Sequence, residues 1–267
     1  MPWVVGIDEA GYGPNLGPLV QAAVALRLPD DDPAGWETLK PWVRRCHEKD
    51  DGRLLVDDSK KVHAGPNGFA KLETGIRGAL GFPEGESTLR EFNPIVRERL
   101  VEPADFNAVI DETGTKAVVV SRGVASLLLS ILESLPDETP AFVVGDKLGG
   151  RNFYGPFLQD TFPDAWVVAE RESAVESRYR ILNLDRDVTI VFRPKADGDS
   201  ACVALASMVC KYLREVGMKQ FNEFWQTHVP GLAPTAGYPV DAKRFYDAIR
   251  PAMANLGIEP DRVWRKK

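Results

Sequence analysis

The stretch Gly6-Ile7-Asp8-Glu9-Ala10-Gly11-Tyr12-Gly13-Pro14-Asn15-Leu16-Gly17-Pro18 constrains this chain more than any other. The apolar run Trp3-Val4-Val5-Gly6-Ile7 reads as a buried β-strand. Two adjacent carboxylates, Asp8 and Glu9, stand where that strand ends. The glycines and prolines that follow permit a tight backbone path into a second strand, Leu19 to Leu26. Adjacent acids at the edge of a buried strand repel each other and lose hydration. A hard divalent cation, Mg²⁺ or Mn²⁺, would remove that cost, because it takes carboxylate oxygens. Taken alone, such a pair is more often a solvated Asp-Glu in a surface turn. Gly11, Gly13 and Gly17 also approach the spacing of a dinucleotide-binding loop. Two acids ahead of that loop would repel a pyrophosphate, and Pro14 and Pro18 withhold amide donors.

The 267 residues suit one large domain, or one domain with an appendage. The three cysteines, Cys46, Cys202 and Cys210, form no CxxC pair, which argues against a disulfide framework or a zinc site and fits a reducing cytoplasm. No signal peptide is visible, and no run reads as long and apolar enough to span a bilayer. A monomeric cytoplasmic protein is expected. The net charge of −6 is unevenly spread. From Lys195 to Lys267 there are 11 Lys/Arg against 8 Asp/Glu, so this part carries +3 and the preceding part −9. A basic C-terminal part beside an acidic site is compatible with nucleic-acid binding.

Along the chain, Trp36, Leu39, Val43 and Cys46 could share one helical face, although Pro41 weakens it. Leu54-Leu55-Val56 is a short strand candidate running into the polar turn Asp57-Asp58-Ser59-Lys60-Lys61. A helix with Phe69, Leu72, Ile76 and Leu80 facing inward follows, and Gly81 to Pro94 reads as loop. The clearest helix runs from about Thr115 to Leu135, with Val124, Leu127, Leu128, Ile131 and Leu132 at buried-face spacing. Ala141 to Gly145 is a core strand ending at Asp146. Ala165 to Ala169 and Val188 to Phe192 are further strands, and the charged segment Glu170 to Asp187 reads as exposed. A second long helix runs from about Asp199 towards Trp225 and opens with small residues, which let a helix sit close to a sheet. Asp197 lies just before it. An N-cap role for Asp197 or Asp199 competes with a functional one. A last helix is expected around Arg244 to Ala254.

Acids therefore stand at a strand end or helix start in three places: Asp8-Glu9, Asp146 and Asp197. Parallel or mixed sheets gather such ends into one crevice, where four carboxylates could hold two divalent ions. The blocks around these acids resemble the type 2 ribonuclease H (ribonuclease HII) family. Asp8-Glu9-Ala10-Gly11-Tyr12-Gly13-Pro14 with Gly17-Pro18 looks like its opening motif, and Asp58-Ser59-Lys60-Lys61 like its second. Asp146 sits where its third acid is expected. Lys195-Ala196-Asp197 with Ser200, Ser207 and Lys211 looks like its fourth, and Gly237-Tyr238-Pro239 and Val263-Trp264-Arg265-Lys266 are similar to its C-terminal motifs.

The resemblance implies an α/β, ribonuclease H-like fold: a mixed central sheet flanked by helices, with a helical C-terminal extension. It implies a catalytic domain over 1–226, enlarged around 150–190, and a substrate-binding extension over 227–267. It also implies an Mg²⁺- or Mn²⁺-dependent endoribonuclease acting on RNA–DNA hybrids or ribonucleotide-containing duplexes. Asp8, Glu9, Asp146 and Asp197 would be the catalytic metal ligands. Gly11, Tyr12 and Gly13 would approach the ribose 2′-OH, the group that separates RNA from DNA. Ser59, Lys60, Lys61, Tyr238 and Arg265 would contact substrate.

Two features depart from the family. Its loop usually carries Arg or Lys where Tyr12 stands, and its connection between the last two acids is shorter than Asp146 to Asp197. Both bear on substrate preference. The alternatives are a same-scaffold nuclease for another structured nucleic acid, and a non-catalytic nucleic-acid-binding module.

Overall fold

The computed structural model describes residues 1–266. In chain order the first elements are β1 (Trp3–Ala10), β2 (Leu19–Arg27), the one-turn helix α1 (Trp36–Leu39), the short strands β3 (Val43–Arg44) and β4 (Leu54–Leu55), α2 (Ser59–His63) and α3 (Gly68–Leu80). Then come β5 (Ile95–Val101), α4 (Pro103–Thr113), α5 (Lys116–Ser134), β6 (Ala141–Asp146) and α6 (Gly155–Thr161). The chain closes with β7 (Trp166–Glu172), β8 (Ser177–Leu182), β9 (Val188–Arg193), α7 (Ala196–Asp199), α8 (Ala201–His228) and α9 (Pro239–Leu256).

Seven strands form one mixed sheet in the order β5-β2-β1-β6-β9-β8-β7. The centre, β1-β6-β9, is parallel, and both flanks are antiparallel. Side chains alternate across a strand. Trp3, Val5 and Ile7 therefore enter the core shared with α4, α5 and α6, whereas Val4 enters the core shared with α3 and α8. Gly6 faces α8, where an added Cβ would lie 2.1 Å from the backbone carbon of Cys202. The small residues that open α8 are thus explained by contact with the central strand. A third apolar cluster joins Leu16 and Trp225 to Phe245, Ile249 and Met253 of α9.

Several expectations are corrected. β1 continues through Asp8 and Glu9 to Ala10, because β2 still pairs with it there. The helix around Trp36 to Cys46 is a single turn, and Val43 is in a strand instead. The polar turn at Ser59 is the start of α2, capped by the Asp58 carboxylate, which accepts from Lys60 N at 2.9 Å. Glu170 to Asp187 is not simply exposed: β8 places Ser177, Tyr179 and Ile181 in the interior. Charged residues on its other face mask that alternation. Two further elements are β5, which pairs with β2 at the sheet edge, and α4, which packs on α5. Helix α5 is long and apolar enough to cross a membrane, with mean hydropathy 1.6. Here Val120, Val124, Leu127, Leu128 and Ile131 are buried against the sheet.

Candidate active site

The parallel strands set the site. The β1–β6 pairing ends at Ile7 opposite Gly145, so Asp8 and Glu9 on one strand and Asp146 on the next emerge at the same edge. The adjacent β9 leads into α7, which carries Asp197. Ala196 N donates to Asp146 Oδ1 at 3.4 Å and so ties the α7 turn to β6. Asp197 does not cap α8. Ser200 occupies the cap position and a separate turn holds Asp197.

All four carboxylates line one cavity of about 290 Å³. Gly11, Tyr12, Gly13, Ser59, Lys60 and Tyr238 also line it. Asp8 sits on the α8 side of β1, where Ser207 hydrogen-bonds its carboxylate. Ser207 and Ser59 hydroxyls lie 2.9 Å apart in a buried hydrogen bond. Glu9, one residue on, projects to the opposite side and lines a second cavity as well. Among the described residues no three acidic, histidine or cysteine side chains form a closed metal-ligand cluster. The carboxylates share a space without converging on one point.

Their electrostatics are strained. Burial, then the neighbouring Glu9, pushes Asp8 from 3.8 up to about 8. Burial and Asp146 push Glu9 from 4.5 up to about 7, partly countered by Lys60. Burial also raises Asp197, helped by Asp58 and Asp146. Desolvation and like charge both disfavour the ionised acids.

The glycine loop is held from below. Gly11 has φ +93°, and a Cβ there would meet Pro18 O at 2.7 Å. The buried Arg214 of α8 donates to Pro18 O at 2.6 Å and to Ala236 O at 3.1 Å. Arg265, expected to touch substrate, is only 1% exposed. Its guanidinium donates to Gly11 O at 2.6 Å and to Pro14 O, so it braces the loop. Burial and the nearby Arg214 lower its pKa to about 9. Lys61 pairs with Asp57 at 3.1 Å, whereas Lys60 lines the cavity. Lys266 of the basic tail is paired with Asp111 at 2.7 Å, and Lys267 lies outside the described residues. The tail is thus a clasp on α4 and the loop.

Ser207 and Lys211, expected only as part of the fourth motif, and Arg214, which no motif includes, all line the cavity. Their spacing puts them on one helical face, which was the available signal. Lys116 and Arg151 were also missed. Lys116 Nζ lies 4.4 Å from the centroid of the Tyr12 ring. No local pattern links residues 12 and 116.

No family model matches the chain. Ribonuclease HII of Methanocaldococcus jannaschii is 23% identical over 244 residues, covering 90% of this chain and 81% of that protein. Ribonuclease H2 from Pyrococcus horikoshii OT3 superposes with a TM-score of 0.55 at 17% identity, over 98% of this chain and 92% of that one. Bst-RNase HIII in complex with Mn²⁺ gives 0.54 at 18% identity, over 99% of this chain and 66% of that one. The fold is ribonuclease H-like. The chain resembles ribonuclease HII as a divergent relative.

Proposed function

We propose that this chain is a metal-dependent endoribonuclease that hydrolyses the RNA strand of RNA–DNA hybrids. One observation carries the reading: Asp8, Glu9, Asp146 and Asp197 line a single cavity, where burial holds Asp8 and Glu9 protonated towards neutral pH. Four hard oxygen donors under mutual repulsion suit Mg²⁺ or Mn²⁺. Bound between these acids, two such ions would supply Lewis-acid charge to the phosphoryl oxygens and an activated water. The carboxylates would exchange their protons for that charge. Ser207 and Ser59 would orient Asp8. Lys60 would meet a phosphate. The braced glycine loop would present backbone groups to a ribose 2′-OH, the discriminating atom. Tyr238, 56% exposed at the rim, would pack on a sugar and bring the 227–267 extension into substrate binding alongside the 1–226 catalytic part.

A second reading is a same-scaffold nuclease for another structured nucleic acid. Tyr12 in the loop and the β7–β8 pair at the sheet edge favour it. Cleavage of a hybrid, duplex RNA, duplex DNA and a DNA duplex with one ribonucleotide, each with Mg²⁺, Mn²⁺ or EDTA, decides. Metal-dependent cuts confined to the hybrid RNA strand are expected. Cleavage of another substrate in preference would move the assignment to the second reading, and binding without turnover would leave only a binding module.

A further inference from the structure

Beside the carboxylate cavity lies a second one of about 400 Å³. Glu9 and Tyr12 line both, so the two spaces adjoin across these side chains. Val120 of α5 and the Leu148-Gly149-Gly150-Arg151 loop after β6 form its other walls. Gly149 and Gly150 have φ of +59° and +77°, and a Cβ on either would meet nothing within 4 Å. The backbone here is open to a ligand.

A polyanion reaching four carboxylates needs cations nearby, because phosphate and carboxylate repel. Most basic groups around the site are engaged. Lys211 pairs with Glu215, and Arg214 and Arg265 bond loop carbonyls. Lys147 holds Asn152 Oδ1 and Ser173 O. Apart from Lys60, already assigned to a phosphate at the carboxylates, Lys116 and Arg151 differ. Among the described residues neither has a carboxylate within ion-pair distance. Lys116 is held over the Tyr12 ring, which orients an ammonium without neutralising it. Arg151 lines this cavity and also a neighbouring one of about 620 Å³ bordered by Phe153 and Arg122, so it stands where the groove continues away from the carboxylates.

We propose that Lys116 and Arg151, set around Tyr12, form a binding subsite for a backbone phosphate of the duplex on the Glu9 side of the carboxylates. Tyr12 then acts as the platform that positions Lys116. Lys116 supplies from α5 a positive charge that the glycine loop itself lacks. The subsite rests on the nuclease reading for its ligand, but it concerns binding and not turnover.

The test is binding of a fluorescent RNA–DNA hybrid in EDTA across a salt series, for wild type, K116Q, R151Q, the double variant and K116R. Each lost phosphate contact should make the slope of log affinity against log salt shallower by about 0.9. The gap between wild type and a single variant should therefore shrink about threefold between 50 and 200 mM salt. K116R should keep the wild-type slope. A neutral methylphosphonate placed along the backbone should weaken wild type at one position and leave the double variant indifferent there. Unchanged slopes in R151Q and the double variant, with melting temperatures intact, would overturn the subsite, as would identical methylphosphonate profiles. R151Q tests the idea independently should K116Q fail to fold. A wild type that binds with the full slope yet cuts no substrate defeats the nuclease reading alone. One that cuts while the variants bind unaltered defeats the subsite alone, and one that binds no duplex overturns both.

Discussion

Two loops border the carboxylates, and they are built oppositely. The loop after β1, residues 11–18, is gripped by two buried arginines that donate to its carbonyls, and Leu16 anchors it in the α9 cluster. The loop after β6, residues 147–151, has one lysine clamp and two glycines facing open space. Both follow a central strand that carries an acid. The first is preorganised, so its backbone can present fixed groups to a substrate without losing further entropy. The second is held by fewer contacts. One wall of the site is a template and the other a jaw held mainly by Lys147 and by the Tyr154 hydroxyl, which accepts from Leu148 N.

The largest expected effect breaks both walls' common purpose. Asp8→Asn and Asp146→Asn should each lower metal-dependent cleavage at least about a thousandfold, with far-UV circular dichroism unchanged. Retained activity in both variants would refute the assignment.

Next is the template wall. Arg265→Met removes a buried donor from Gly11 O and Pro14 O, and the orphaned carbonyls should cost about 2–4 kcal/mol, read by urea unfolding. Lys147→Met, on the jaw, should cost only about 1 kcal/mol, because its partners stay near water. Equal losses would erase the contrast.

The third prediction uses pH. Asp8 and Glu9 bind protons more tightly folded than unfolded, at about 8 and about 7. Their contribution to stability is therefore full below about pH 4 and lost as pH rises towards 8. Asp8→Asn should flatten that decline and raise the metal-free melting temperature at pH 8 by roughly 2–5 °C. Mn²⁺ should raise the wild-type melting temperature at pH 8 and have less effect on the variant.

The smallest effects concern Tyr12. Tyr12→Phe keeps the ring beneath Lys116 and should change cleavage less than about threefold, whereas Tyr12→Ala should cost roughly 1–2 kcal/mol of transition-state stabilisation. If Tyr12→Ala lowers only the melting temperature, the residue is mere packing.

Much of this was legible in the chain. Trp3 to Ile7, the spacing in α5 and the small residues opening α8 are local signals, and each element formed near the bounds expected. The order of acids along the chain also pointed to a shared cavity, because parallel strands end on one edge. Other features were hidden because they depend on partners far away in sequence. The +3 balance of the C-terminal part suggested a basic surface, yet Arg265 turns inward and Lys266 pairs with Asp111. Charge counts say nothing of direction.

By itself, then, the sequence determined the strand-loop-strand opening and the long helices, since periodicity and turn chemistry act within a few residues. Only the tertiary structure decided that Glu9 lines a second cavity besides the one it shares with Asp8, that β8 is buried under a charged exterior, and that Lys116 comes to rest on Tyr12. Those outcomes depend on strand neighbours and helix docking, which bring together residues about a hundred positions apart and leave no pattern in either segment alone.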